Sequence, residues 1–287
     1  MPKTIGNPLS WTAAAVGAVA GHATAMTETV GTHDTQHMPD VRALTMDDLR
    51  QALRKGVQDM AAFRSDVIFA CVIYPVIIFV LAAVALRGNM AHLLFPVLSG
   101  FALVGPVASV GLYEMSRQRE RGDDPSWFVL GDLMRSPRLG SILVLGLFLV
   151  ALFVAWLFAA NFVYYLTLGQ FGPAPHSAMD LLRDAVTTPA GWTMTIVGCA
   201  VGFVFAVVAL AVSLVSFPLL LDRDIGLAGA VVTSVRVARR SPGTVAIWGL
   251  IVVVALVLGS IPLLLGLMLV MPVLGHATWH LYRRAVV

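Results

Sequence analysis

The chain has 287 residues, 58% hydrophobic and 12% charged, with 19 Lys and Arg against 16 Asp and Glu and a net charge of +3. A soluble globular protein is about 45–50% apolar and about 25% charged, so this balance excludes a water-soluble globule and makes lipid the solvent for most of the chain. The two cysteines, Cys71 and Cys199, lie in apolar runs without metal-ligand spacing, which excludes a disulfide framework.

Residues 1–41 are rich in Thr, Gly, Ala and His and carry no sustained periodicity. Their apolar stretch, "WTAAAVGAVAGHATA", is mostly Ala and Gly with only Lys3 ahead of it, so it reads as a mobile tail rather than a cleaved signal. Residues 42–287 read as the membrane domain. It opens on "TMDDLRQALRKGVQDMAAF", where Thr45 and Asp48 make a capping box. Leu49, Leu53, Val57, Met60 and Phe63 recur at a helical period, with Arg50, Arg54 and Lys55 off that stripe. The result is an amphipathic helix suited to a membrane surface.

Apolar segments follow at 67–86, 93–113, 142–168 and 192–221, each long enough for a ~30 Å hydrocarbon core. The last run, Thr244–Gly275, would reach about 48 Å as one helix, too long for one crossing. "GSIP" at 259–262 offers a break, which predicts two helices at 244–260 and 261–282. The expected fold class is all-α: a polytopic membrane bundle of six transmembrane helices, arranged as three hairpins with amphipathic surface helices on the cytoplasmic side.

Charge placement supports that threading. With both termini inside, only Arg87 and Arg183 of the 19 basic residues fall outside. A five-span topology would export Arg283 and Arg284. The expected orientation therefore keeps both termini cytoplasmic. An Arg-Ser pair also precedes each odd-numbered span, at Arg64-Ser65, Arg135-Ser136 and Arg240-Ser241, and each even-numbered span carries a proline, Pro106, Pro218 or Pro272. This pattern suggests a hairpin repeated three times, or convergence on the chemistry of helix ends.

No Asp, Glu, Lys or Arg lies inside a predicted span, which counts against a proton- or sodium-coupled transporter. Gly198, Gly202 and Ala206 form a small-residue run suited to close helix packing. His276 and His280, in "GHATWHLYRR", share one face of a helix and supply half of a tetrahedral zinc set. Asp222 and Asp224, in "SFPLLLDRDIG", are the carboxylates placed to complete it. Together with Glu114, Arg223 and Trp279 they make a candidate cytoplasmic cluster; the plainer alternative is a solvated ion-pair turn beside interfacial anchors. Haem is not expected, because His92 opens the second span at the outer side and the His276/His280 pair projects from one helix. No cofactor is predicted, a divalent metal being the one the spacing admits. There is no GxGxxG, GxxxxGK[ST] or HExxH. The basic cytoplasmic segments suit anionic lipid headgroups and not nucleic acid.

Several phrases are specific beyond hydrophobicity: "FPVLSGFALVGPVASVGLYEMSR", "MRSPRLG", "TTPAGW", "SFPLLLDRDIG" and "PVLGHATWHLYRR". In this order, from about Val41 to the C-terminus, the chain resembles the domain-of-unknown-function 2189 family of predicted bacterial integral membrane proteins. The resemblance implies a polytopic inner-membrane protein and brings no activity with it. Three functions stay open from the residues alone: a non-enzymatic structural or regulatory membrane protein, a permease for a small or amphiphilic molecule, and a metal-dependent enzyme using His276, His280, Asp222 and Asp224.

Overall fold

The computed structural model describes residues 38–62, 72–87, 90–123, 136, 138–170 and 177–287. The proposed tail up to residue 37, the first Arg-Ser pair and Arg135 of the second lie outside them. Among the described residues the fold is all helical, apart from an isolated β-bridge between Val41 and Val286.

The first helix, α1 (Met46–Ala62), starts where the capping box predicts. Thr45 Oγ1 accepts from the Asp48 N–H at 3.3 Å, and Asp48 Oδ2 accepts from the Thr45 N–H at 2.9 Å. α2 (Ile73–Arg87) follows, then a 3-10 turn (Ala91–Leu93) into α3 (Leu94–Ala108) and α4 (Val110–Arg121). α4 ends on Gly122, whose φ of 82° suits a left-handed helix stop. α5 (Leu139–Leu166) is long and almost wholly apolar. The short α6 (Ala178–Thr187) is capped by Ser177, whose Oγ accepts from the Asp180 N–H at 3.1 Å. α7 (Pro189–Ser213) and α8 (Ser216–Asp222) are one apolar run broken around Leu214, four residues before Pro218, where the proline ring and missing N–H oppose a continuous ladder. α9 (Gly226–Arg240), α10 (Pro242–Ser260) and α11 (Leu267–Ala285) complete the chain.

Four helical stretches are long and apolar enough to cross a membrane: Ala91–Arg121, Leu139–Leu166, Pro189–Asp222 and Pro242–Ser260. α2 contributes a shorter apolar helix, Pro75–Ala85. The sixth predicted span differs in its start. Residues 261–266 are a turn, and α11 begins at Leu267 and spends its second half on His276, Trp279, His280, Arg283 and Arg284.

Two layers result. In the apolar bundle α3, α5 and α7 pack together, with Trp156 of α5 buried against Pro96 and Gly100. The polar layer holds α1, α4, α8, α9 and the second half of α11, with α1 lying along α11. The two ends of the described chain meet there: the Arg42 N–H donates to the Ala285 carbonyl at 2.8 Å and the Val287 N–H to the Asp40 carbonyl at 2.9 Å.

The buried face of α1 keeps Leu49 of the predicted stripe, with Leu53 half-buried against the core, but turns away from Val57. Asp48, Leu49, Ala52, Gly56 and Asp59 are buried, whereas Val57 is 51% exposed. The helix is turned because α11 comes too close for large side chains. A Cβ on Gly56 would stand 2.7 Å from both the Ala277 nitrogen and the Val273 carbonyl oxygen. The two acids on this face find partners on α11, described next.

A buried polar junction as candidate functional site

Three helices meet at Asp59. α1 supplies the carboxylate, α4 supplies Ser116 and Arg119, and α11 supplies the histidine pair. Ser116 Oγ donates to Asp59 Oδ2 at 2.6 Å, and His280 Nε2 lies 2.8 Å from the same oxygen. Arg119 Nη1 donates to Asp59 Oδ1 at 2.8 Å. The single hydroxyl proton of Ser116 is committed to Asp59, so at 2.7 Å the Ser116 oxygen accepts from His276 Nδ1–H. That fixes the tautomer of a neutral His276. Ser116 is 1% exposed and His276 fully buried.

The electrostatics follow from burial and partners. Burial raises the Asp59 carboxyl, but the His280 and Ser116 bonds and the adjacent imidazoles outweigh it, and the acid sits below its ordinary range. Burial pushes His276 down to about 4, only partly offset by the nearby Asp59 charge, so it is neutral at pH 7.

A second junction lies one end of α1 away. Asp48 Oδ1 meets Arg42 Nη2 at 2.8 Å and Arg284 Nη1 at 2.9 Å. Burial opposes the Asp48 charge; Thr45 and the two arginines overcome it and hold the carboxyl far below its usual range.

The predicted cluster divides between partners. His276 and His280 turn to Asp59, an acid the sequence argument did not single out. Asp222 instead accepts from the Tyr282 hydroxyl at 2.8 Å and lies 3.4–3.8 Å from Arg283, Arg117 and Arg121. Glu114 takes a two-pronged contact from Arg117 at 2.8 and 2.9 Å. Trp279 Nε1 donates to Glu120 at 3.0 Å, Arg223 donates to the Val287 carbonyl at 3.1 Å, and Asp224 is exposed. Among the described residues no group of three or more His, Cys, Asp and Glu is placed to hold a metal ion. His92 lies at the far end of the bundle, 2.8 Å from Asn161 Oδ1 and stacked on Tyr164. Of the small-residue run, Gly202 packs on Trp156, with a Cβ there only 2.9 Å from the indole, whereas Gly198 faces open space and Ala206 is exposed.

The arrangement fastens helices. Asp59, the Ser116 hydroxyl, His280 Nε2 and His276 Nδ1 bond one another, and the cluster joins α1 to two helices that lead into the apolar bundle.

No curated protein and no solved structure matches the chain. A family match does exist, and it covers α3 through α8; "GHATWHLYRR" and the α1 segment lie beyond it. Residues 94–222 match the model of the family described as predicted integral membrane protein (DUF2189), the family that the phrases of the sequence resemble.

Proposed function

We propose that this integral membrane protein is a non-enzymatic structural or regulatory component of a bacterial inner membrane, and that its polar layer presents a basic face to anionic lipid headgroups on the cytoplasmic side. In this reading six membrane-embedded helices form three hairpins with both termini cytoplasmic. The uneven distribution of Lys and Arg supports that orientation. No metal, haem or nucleic acid enters the proposal.

One observation carries it. The residues chemically fit for catalysis are buried in mutual hydrogen bonds, as at Ser116 and His276, while exposed charge on the same layer is strongly basic. Arg50, Arg54 and Lys55 are exposed on α1, and Arg236, Arg239 and Arg240 on α9. Each basic residue near an anionic surface contributes about 1 kcal/mol, falling off within a Debye length.

The test is lipid preference. The full chain is reconstituted in nanodiscs of phosphatidylcholine doped with phosphatidylglycerol, and enrichment of the anionic lipid around it is measured. Replacing Arg50, Arg54 and Lys55 together with Gln should lower the apparent affinity for that lipid by about tenfold or more, since about 1 kcal/mol per residue is removed. Wild-type protein that shows no preference for the anionic lipid, or a triple variant that keeps it in full, would overturn the proposal.

A further inference from the structure

The third hairpin, α10 with α11, is shorter than the bundle it packs in. α11 is pinned in the polar layer by His276, whose Nδ1 meets Ser116 Oγ at 2.7 Å. From His276 back to Gly266 the helix covers about 15 Å at 1.5 Å per residue. From that same level at Ser116, α4 and α3 run about 33 Å to Leu94. A hydrocarbon core is ~30 Å thick, so α3 reaches its far side, whereas the α10–α11 tip, whose Leu264 and Leu267 share an apolar cluster with Phe101 about 10 Å along α3 from Leu94, stops short of it.

Side contacts agree. The Met271 methyl lies 3.9 Å from where a Cβ would stand on Gly105, a residue still about 16 Å along α3 from Leu94. The main packing partners of α10 and α11 are each other and α1, α2, α4, α8 and α9. The 3-10 turn at Ala91–Leu93 and α6, which mark the far end, pack with α2, α3, α5 and α7 instead. On the other arm, α10 begins inside the polar layer, where Ser241 Oγ accepts from the Leu44 N–H at 2.8 Å and Thr244 Oγ1 donates to the Leu44 carbonyl at 3.0 Å. Part of its length is therefore spent before the bilayer begins.

The tip has the chemistry of a segment that never meets water. Residues 261–266 read "IPLLLG", without a polar side chain, and Leu263 is 86% exposed, Ile261 71% and Leu265 60%. From Leu263 to Val270 every N–H except that of Gly266 donates to a carbonyl within the turn, and Pro262 has no N–H to place. Ser260 returns its hydroxyl to the Leu256 carbonyl at 2.7 Å. Backbone inside hydrocarbon has to be satisfied internally in this way. Leu263 and Leu264 adopt φ of 52° and 68°, a left-handed conformation that glycine takes more easily. Leucine at both positions keeps the turn apolar despite that strain.

We propose that α10 and α11 form a re-entrant hairpin that enters the bilayer from the side of the polar layer, turns back at residues 261–266 within the hydrocarbon, and offers its tip leucines to the acyl chains. Both chain termini stay on one side, as they would with six full crossings, so mapping the termini does not separate the two topologies. The tip does.

A nitroxide on Leu263→Cys, in a Cys71→Ala/Cys199→Ala background of the full chain in liposomes, tests this by power saturation. The label should collide with molecular oxygen and lose collisions with a water-soluble nickel chelate to background, whereas labels on Ser177→Cys and Arg54→Cys collide freely with the chelate. Chelate access at Leu263 equal to that at Ser177 would overturn the proposal. Leu263→Arg gives a second arm that needs no label. A tip in water accommodates arginine, so full retention of folded, inserted protein by this variant would overturn the proposal, and its loss is expected.

Discussion

Gly56→Ala puts the packing of α1 on α11 to a direct test. The added Cβ would stand 2.7 Å from the Ala277 nitrogen and the Val273 oxygen and 2.8 Å from the Ala277 Cβ. Two of those atoms are backbone, so no rotamer change relieves the clash. Carbon contacts are comfortable at about 3.5–4.0 Å, so the helices must part by close to 1 Å. At that separation the 2.8 Å Asp59–His280 contact and the 2.9 Å Asp48–Arg284 contact both pass out of hydrogen-bond range. Overpacking of this kind costs about 1–3 kcal/mol, and the better helix propensity of alanine returns up to about 1 kcal/mol. Adding the weakened ion pairs, we expect a net loss of about 2 kcal/mol, which for a chain of this size lowers the apparent Tm in detergent by roughly 4–8 °C. Gly243→Ala is the control: nothing lies within 4 Å of a Cβ at that position in the first turn of α10. A Gly56→Ala protein as stable as the Gly243→Ala protein would refute the reasoning, because propensity alone would then have decided the outcome.

Two further outcomes concern the Asp59 junction. Asp59→Asn keeps the shape but removes the charge facing Arg119 and His280; it should destabilise by about 3 kcal/mol, and a double-mutant cycle with His280→Gln should show clear non-additivity. Additive losses would mean that the two side chains are not coupled. Acidification should also loosen the layer in two steps. His276 titrates at about 4 when folded against an ordinary 6.5, so the unfolded chain takes up its proton first, and stability of order 3 kcal/mol is lost as pH falls from about 6.5 to about 4. Asp59, held below its ordinary value of 3.8, gives stability that is present above that pH and lost below it. Apparent Tm against pH should therefore flatten in the upper window for His276→Asn and keep its fall in the lower one; an unchanged profile for that variant would assign the upper step elsewhere.

Much of this architecture is legible in the sequence because lipid enforces simple rules. Long apolar runs without charge read as membrane helices, and Thr45 with Asp48 reads as a helix start for local reasons that tertiary structure does not override. "GSIP" reads as a break because proline and glycine act locally, and α10 ends there at Ser260. The junction is harder to see. Asp59, in an amphipathic helix, looks like a solvent-side acid, and periodicity places the buried face on Leu53 and Val57 rather than on Ala52 and Gly56. The signal that could have found it is the small-residue pair Ala52 and Gly56, flanked by Asp48 and Asp59 at helical spacing, which marks a face built for close approach to another helix. His276 and His280 are correctly placed on one face of α11, but their partner is 217 or more positions earlier in the chain, and only packing brings it there. Asp222 is recognisable as part of the polar layer, yet nothing local says that it serves Tyr282 and the arginines instead of the histidines.

The division of labour between the two layers follows from what each solvent offers. In hydrocarbon an apolar side chain gains nothing by leaving lipid for another apolar side chain, so the bundle relies on close packing, as where Gly202 lets Trp156 approach. Such contacts are weakly directional and would tolerate sliding. The polar layer supplies register. A slip of one helical turn along α11 would carry Asp48 away from Arg284, leave a buried carboxylate without one of its two cations, and break the Asp59–His280 contact. Burying an unpaired charge costs several kcal/mol, more than any single packing contact in the bundle restores. The short hairpin depends on this lock most, because α11 meets the rest of the fold chiefly through α1 and α4. Loosening Asp59 should therefore release the α10–α11 tip before it disturbs α3, α5 and α7. Hydrogen exchange on Asp59→Asn can check that order: protection should fall first in Leu267–Ala285, and a uniform fall across α5 would contradict it.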